Sequence, residues 1–201
     1  MTDGETKLPF VYQISGKGMN MDKRKEENLR VKKNITDTLF TLMEKKSLAE
    51  IRITELVEKA GVARASFYRN YSSKEDVLVT LIRDILDEFR EEMDLSQGTV
   101  YTYQNVLLSF QYFKKYRNYV LDLQRSGFSA VLMDELNHFH ESVEGHMPYD
   151  SIEKYILYMY IGALMNTAVT WLTDDERNAP EDMARYFLKV ALRMHDRGNP
   201  A

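Results

Sequence analysis

Apolar residues recur along most of this chain with the period of a helix. Val31, Ile35, Leu39, Leu42 and Met43 fall at i, i+4, i+8, i+11 and i+12, one stripe of a first helix over about 23–46. Ile53, Leu56, Val57 and Ala60 form a shorter stripe that stops at Gly61. A helix there is expected to begin at Thr54, with its hydroxyl as N-cap, and to end on the glycine. A short third helix starts near Ala63 and runs through Tyr71 around the single apolar position Phe67. A fourth, over about 73–93, carries Val77, Leu78, Leu81, Ile82, Ile85, Leu86 and Phe89 inward. The Ser72–Glu75 spacing predicts its capping box.

Beyond a break at 95–99 containing Gly98, helices are predicted over about 101–117, 119–126, 128–145, 151–173 and 180–195. Gly127 and the stretches 145–148 and 173–180 separate them. Pro180 suits a first helical turn, with Asn178 as its cap. The fold class is therefore all-α. The domain plan has a flexible tail at 1–22, a helix-turn-helix unit at 23–72, a connecting helix at 73–94 and a second helical domain at 95–201.

Composition narrows the function. With 44% apolar and 29% charged residues the chain is globular rather than disordered. The absence of cysteine removes disulfides, thiolate metal sites and cysteine nucleophiles. No uninterrupted apolar run reaches the roughly 18 residues of a membrane span. The first residues carry no basic-then-apolar leader pattern, so a cytoplasmic protein without a membrane partner is expected. The charge is lopsided. Residues 23–74 hold 13 Lys/Arg against 7 Asp/Glu, a net +6, while the rest holds 14 against 24, a net −10. A basic segment on an acidic body suits a polyanion bound through one face.

Residues 53–76, ITELVEKAGVARASFYRNYSSKED, concentrate that chemistry. A short helix held beyond a glycine turn fits the major groove of duplex DNA. Arg64, Ala65, Ser66, Tyr68 and Arg69 lie largely opposite Phe67 and Val62, the expected core positions. They are the candidate DNA-facing residues, joined by Asn70, Lys74 and Thr54. Asp134 and His138 share a helix face, whereas His138 and His140 do not, and a metal site is not expected from them or from His146. No Ser-His-Asp set, phosphate loop or carboxylate pair stands out, so neither an enzyme nor a cofactor is expected.

The same stretch resembles the DNA-binding signature of the TetR family of transcriptional regulators. The resemblance is carried by Ile53-Thr54, Ala60-Gly61-Val62, the core Phe67-Tyr68-Arg69-Asn70-Tyr71 and Ser73-Lys74-Glu75. It implies phosphate contacts from Tyr68 and Lys74 and binding to a palindromic operator. It also implies a C-terminal domain for effector binding and dimerisation. Phe110, Phe113, Tyr116, Met133, Leu136, Tyr155 and Met159 are the candidate lining of a small-molecule effector pocket. Ile156, Tyr160, Ala163, Leu164, Thr167 and Trp171, with Met183, Phe187, Val190 and Met194, are the candidate homodimer interface of the last two helices. The function implied is a repressor released by an effector, the alternative being a regulator of this fold that acts mainly through a protein partner. Two positions depart from the pattern. Ala63 stands where the family usually has a capping serine or threonine, and Asn70 stands where it often has histidine.

Overall fold

A computed structural model describes residues 23–96, 100–145, 152–174 and 177–197. The described residues are helical, in the order α1 (Lys23–Met43), α2 (Ile53–Lys59), α3 (Arg64–Asn70), α4 (Lys74–Glu92), α5 (Tyr103–Lys115), α6 (Arg117–Arg125), α7 (Ser129–Glu144), α8 (Ile152–Thr173) and α9 (Pro180–Arg197). The 3.6-residue pattern thus locates each helix to within a few residues. The tail at 1–22, the break residues 97–99 with Gly98, and residues 146–151 lie outside the described residues. The helices fall into two compact units. One comprises the chain up to Glu88 together with Asp122–Leu132; the other comprises Phe89–Leu121 and Met133 onward.

In the first unit, α1, α2 and α3 pack on one another. Ile35, Leu39, Leu56, Phe67, Leu78 and Leu81 are fully enclosed there. A single 3-10 turn, Leu48–Glu50, lies between α1 and α2, opened by a capping box of Ser47 and Glu50. Its Leu48, followed by Ile51, turns inward, so the connector joins the core. Gly61 and Gly127 close helices in the same way. Gly61 has φ of 64° and Gly127 has φ of 79°, a left-handed conformation that costs glycine no Cβ strain. After α2, Gly61 N donates to Glu58 O and Val62 N to Val57 O; after α6, Gly127 N donates to Gln124 O and Phe128 N to Leu123 O. Both are Schellman closures.

Three caps differ from the sequence expectation. α2 begins at Ile53 with Arg52 in the cap position, extended and without a side-chain cap bond, so Thr54 lies inside the first turn. α4 is capped one residue later than expected. Ser73 Oγ accepts from Asp76 N at 3.1 Å, and the Asp76 carboxylate accepts from Ser72 N and Oγ at 2.7 and 2.9 Å. Ahead of Pro180 it is Ala179 whose carbonyl receives the first-turn amides of Asp182 and Met183, not Asn178 that caps. The carbonyl of Asn178 accepts instead from Trp171 Nε1 at 3.0 Å.

At least one buried polar group in this unit is uncompensated. Thr36 is fully enclosed, and its hydroxyl has no hydrogen-bond partner among the described residues. A buried hydroxyl without a partner costs about 1–3 kcal/mol. Thr36→Val keeps the branched shape and removes that cost, so the first unit is expected to melt several degrees higher, about 4–8 °C per kcal/mol. Calorimetry checks this, and a lower melting temperature refutes it.

In the second unit, α5 packs chiefly on α9 and also on α8. Aromatic rings meet edge to face along its interior. Tyr101 lies 4.7 Å from Tyr160, Tyr160 5.4 Å from Phe187, and Phe110 5.7 Å from Trp171. Asn105 grips the backbone of Asp94, accepting from its N–H at 3.0 Å and donating to its carbonyl at 2.8 Å. Arg117 donates to the carbonyl of Leu172 at 2.7 Å, a cation on the last turn of α8. α8 is apolar almost all round. Its stretch Lys154–Thr173 is long and apolar enough, by length and composition only, to cross a membrane. This goes beyond the uninterrupted-run reading of the sequence. In the fold, Leu157, Ile161, Leu164, Ala168 and Leu172 of that helix are buried.

Candidate nucleic-acid interface

The interface is built from the turn outward. The closure at Gly61 ends α2 and redirects the chain into α3. Ala63, extended at φ −69° and ψ 141°, is the cap of α3 and provides no side-chain hydrogen bond. The missing cap forgoes about 1 kcal/mol relative to serine or threonine. The helix is held by its interior instead. Phe67 has no exposed surface, Tyr71 is buried, and their rings lie 5.8 Å apart. Tyr71 N donates to Phe67 O at 2.9 Å and closes the last turn.

With Phe67 turned in, the opposite side of the same two turns is turned out. Arg64, Ala65, Tyr68 and Arg69 are exposed and share one face at i, i+1, i+4 and i+5. Tyr68 keeps 47% of its surface open, a high value for an aromatic side chain. The Arg64 guanidinium lies 5.5 Å from the Tyr68 ring centre, with Nη2 donating to the phenol oxygen at 3.4 Å. Arg69 Nη2 donates to Ser66 Oγ at 2.9 Å. Both guanidiniums are thereby lightly tethered on the helix that carries them, with further donors left over from their five. Ser66 is half-buried beneath Arg69.

The remaining candidates are placed differently. Asn70 is half-buried and its amide donates back to Ser66 O at 2.8 Å, on its own helix. Thr54 is exposed in the first turn of α2. Lys74 reaches the connector before α2. Its ammonium donates to the carbonyls of Leu48, of Ala49 at 3.1 Å and of Ile51 at 2.8 Å. Sequence spacing has no access to that contact, which spans 23 to 26 residues.

The candidate residues of the second unit divide by side. Phe110, Tyr116 and Leu136 are buried, and Phe113 and Met133 are half-buried. Tyr155 and Met159, grouped with them from the sequence, face outward at 66% and 56% exposure. Of the candidate dimer residues, Tyr160, Leu164 and Trp171 are interior, and burial pushes the Tyr160 phenol above its ordinary pKa. Ile156, Ala163 and Val190 are exposed, while Thr167, Met183 and Phe187 are half-buried. The side chain of Met194 lies outside the described residues. Ile152 and Tyr186, absent from the sequence candidates, are exposed at 72% and 69%. Ile152 lies four residues before Ile156, a helical spacing that marks it as part of the same face.

His140 is buried, donating from Nδ1 to Leu136 O at 2.8 Å, and burial lowers its pKa. His138 is exposed, in keeping with the i, i+2 spacing, and His146 lies outside the described residues. Among the described residues no three His, Asp or Glu side chains converge as a metal site.

Comparison with known proteins agrees with this geometry. Residues 35–81 match the bacterial regulatory proteins of the tetR family. The chain is 25% identical over 194 residues to the uncharacterised HTH-type transcriptional regulator YxbF of Bacillus subtilis, an alignment covering 89% of this chain and 50% of that protein. It thus spans about half the length of that curated relative. Among solved structures, Lin0861 from Listeria innocua superposes with a TM-score of 0.67 at 16% identity, covering 89% of this chain and 96% of the other. A TetR transcriptional regulator from Streptococcus agalactiae superposes with a TM-score of 0.57 at 19% identity, covering 84% and 97%. The dihydroxyacetone kinase operon activator DhaS gives 0.53 at 15% identity, covering 82% and 95%. The chain is thus similar to the tetR family at its helix-turn-helix, residues 35–81, and shares the fold of a TetR transcriptional regulator along most of its length.

Proposed function

We propose that the chain is a cytoplasmic, non-enzymatic transcriptional regulator that binds a palindromic operator as a homodimer. The exposed face of α3 carries this reading: two guanidiniums and an open tyrosine on the side opposite a fully buried phenylalanine. Arg64 is assigned to base edges or phosphate, Ser66 to close approach, and Tyr68 and Arg69 to the backbone. Base contacts specify sequence, and phosphate contacts fix register. One such helix covers too little DNA for tight binding. Two, about 34 Å apart on a symmetric dimer, match one turn of duplex.

The outward apolar side chains of α8, Ile152, Tyr155, Ile156 and Met159, and of α9, Tyr186 and Val190, support the dimer. Phe110, Tyr116 and Leu136, with the half-buried Phe113 and Met133, are assigned to a small, largely apolar effector. Repression relieved by that effector is the proposed direction of control. The effector must bind one arrangement of the dimer better than another for this to work. DhaS is an operon activator, so the direction of control is a property to measure on each protein.

The test uses a DNA fragment from upstream of the chain's own gene, titrated at several salt concentrations. Specific, salt-steep binding is expected. Arg64→Ala and Tyr68→Ala should each weaken it about tenfold or more, roughly 1–3 kcal/mol, at a temperature where each variant is fully folded. Loss of discrimination is expected in Arg64→Ala, and uniform weakening across sequences in Tyr68→Ala. Equal affinity for this fragment and a random duplex in all three proteins sinks the reading.

A further inference from the structure

Lys74 is the first residue of α4. It is half-buried against the connector before α2, where the carbonyls of Leu48, Ala49 and Ile51 converge on it. An ammonium has three donors and no acceptor. Three carbonyls therefore match its whole capacity. Leu48 O already accepts from Ile51 N within the turn, and the ammonium adds a second donor to it; a cation suits carbonyls at the end of a short helical turn.

Both ends of this contact are fixed independently. On one side, Ser73 Oγ and the Asp76 carboxylate lock the first turn of α4. On the other, Lys46 of the connector pairs with Glu55 of α2, which Lys59 also meets at 3.3 Å. The chain between the two ends consists of α2, the Gly61 turn and α3. Lys74 thus closes a loop around the helix-turn-helix itself.

We infer that Lys74 is a positioning residue: its ammonium latches the start of α4 to the connector before α2 and so holds α3 between two fixed ends, instead of contacting phosphate. The inference deepens the DNA-binding reading and rests on it for its effect on function. In this arrangement a phosphate could recruit Lys74 only by displacing one of its three carbonyls.

Methionine and arginine separate the two roles. Lys74→Met keeps the stem and removes the donors. Lys74→Arg keeps the charge, but its planar fork cannot meet three carbonyls that converge on one point. Affinity for the upstream fragment is measured against salt, at a temperature where each variant is fully folded. The latch predicts about tenfold or greater weakening in Lys74→Met with an unchanged salt slope, and no rescue in Lys74→Arg. A salt slope smaller by about 0.9 per protomer in Lys74→Met, restored in Lys74→Arg, is the signature of a phosphate contact and overturns the inference. Wild-type affinity in folded Lys74→Met overturns it too. If the wild-type protein binds no DNA, the DNA-binding reading has failed by itself, and amide exchange decides the latch. Lys74→Met should then exchange faster than wild type at residues 48–54 and 64–71, and unchanged exchange there refutes the latch.

Discussion

Phe67→Ala is expected to abolish DNA binding by releasing α3 from the first unit. Phe67 has no exposed surface, its ring meets Tyr68 edge to face at 5.3 Å, and it is the buried side chain that α3 contributes within its own span. Truncation of an enclosed phenylalanine costs about 3–5 kcal/mol, the lost transfer energy plus the cavity left behind. Whole domains of this size are stable by only about 5–15 kcal/mol. A seven-residue helix with no side-chain cap has nothing local to replace that anchor, because helices shorter than about 12 residues are marginal alone. The single tryptophan, Trp171, lies in the second unit. Loss of helical circular dichroism at moderate temperature, with unchanged tryptophan emission, is therefore the expected signature. Phe67→Leu keeps most of the volume and should cost under about 1.5 kcal/mol. If Phe67→Ala melts like wild type and binds DNA, α3 is held by contacts other than its aromatic anchor.

Much of this architecture is legible in the sequence because one signal dominates it. Apolar spacing of 3.6 residues marks α1 through α9, and Gly61 and Gly127 stop helices where a left-handed residue is needed. Caps are less legible. Ser72 and Ser73 are adjacent and each has an acidic residue three positions on, so spacing alone cannot choose between Ser72–Glu75 and Ser73–Asp76; the fold uses the second. Thr54 has the right chemistry for a cap, but extended backbone persists only to Arg52 and helical geometry starts at Ile53.

The candidate interface divides in the same way. The exposed face of α3 follows from helical geometry once Phe67 is placed inward. The partners of the polar groups do not follow, because they are set by distance in space. Asn70 folds back on Ser66 O, and Lys74 reaches carbonyls more than twenty residues upstream. On α8 the sequence signal fails for a different reason. The helix is apolar on nearly every side, so periodicity cannot say which stripe faces the core of its own chain. Tyr160, Leu164 and Trp171 face inward, and Tyr155, Ile156 and Met159 face outward.

Met159→Glu on that outward stripe is expected to turn the proposed dimer into a folded monomer. Met159 is 56% exposed in the single chain, so a carboxylate there stays solvated when the chain is alone, and the monomer should lose little stability. In a two-fold symmetric bundle of α8 and α9, the same face is covered by its own copy, and each substitution occurs twice. An unpaired carboxylate buried at an interface costs about 3 kcal/mol or more. Two of them cost about 6 kcal/mol, roughly a 10⁴-fold weaker dimer. Sedimentation at micromolar concentration should then find the wild type at twice the mass of the variant, with equal melting temperatures at high dilution. Affinity for the operator should fall by orders of magnitude although no residue of α3 has changed, because a single half-site contact lacks its tethered partner. Met159→Leu, which keeps the apolar surface, should leave both mass and affinity unchanged. A variant Met159→Glu that remains dimeric places the dimer interface elsewhere, and the exposed stripe on α8 then belongs to some other contact.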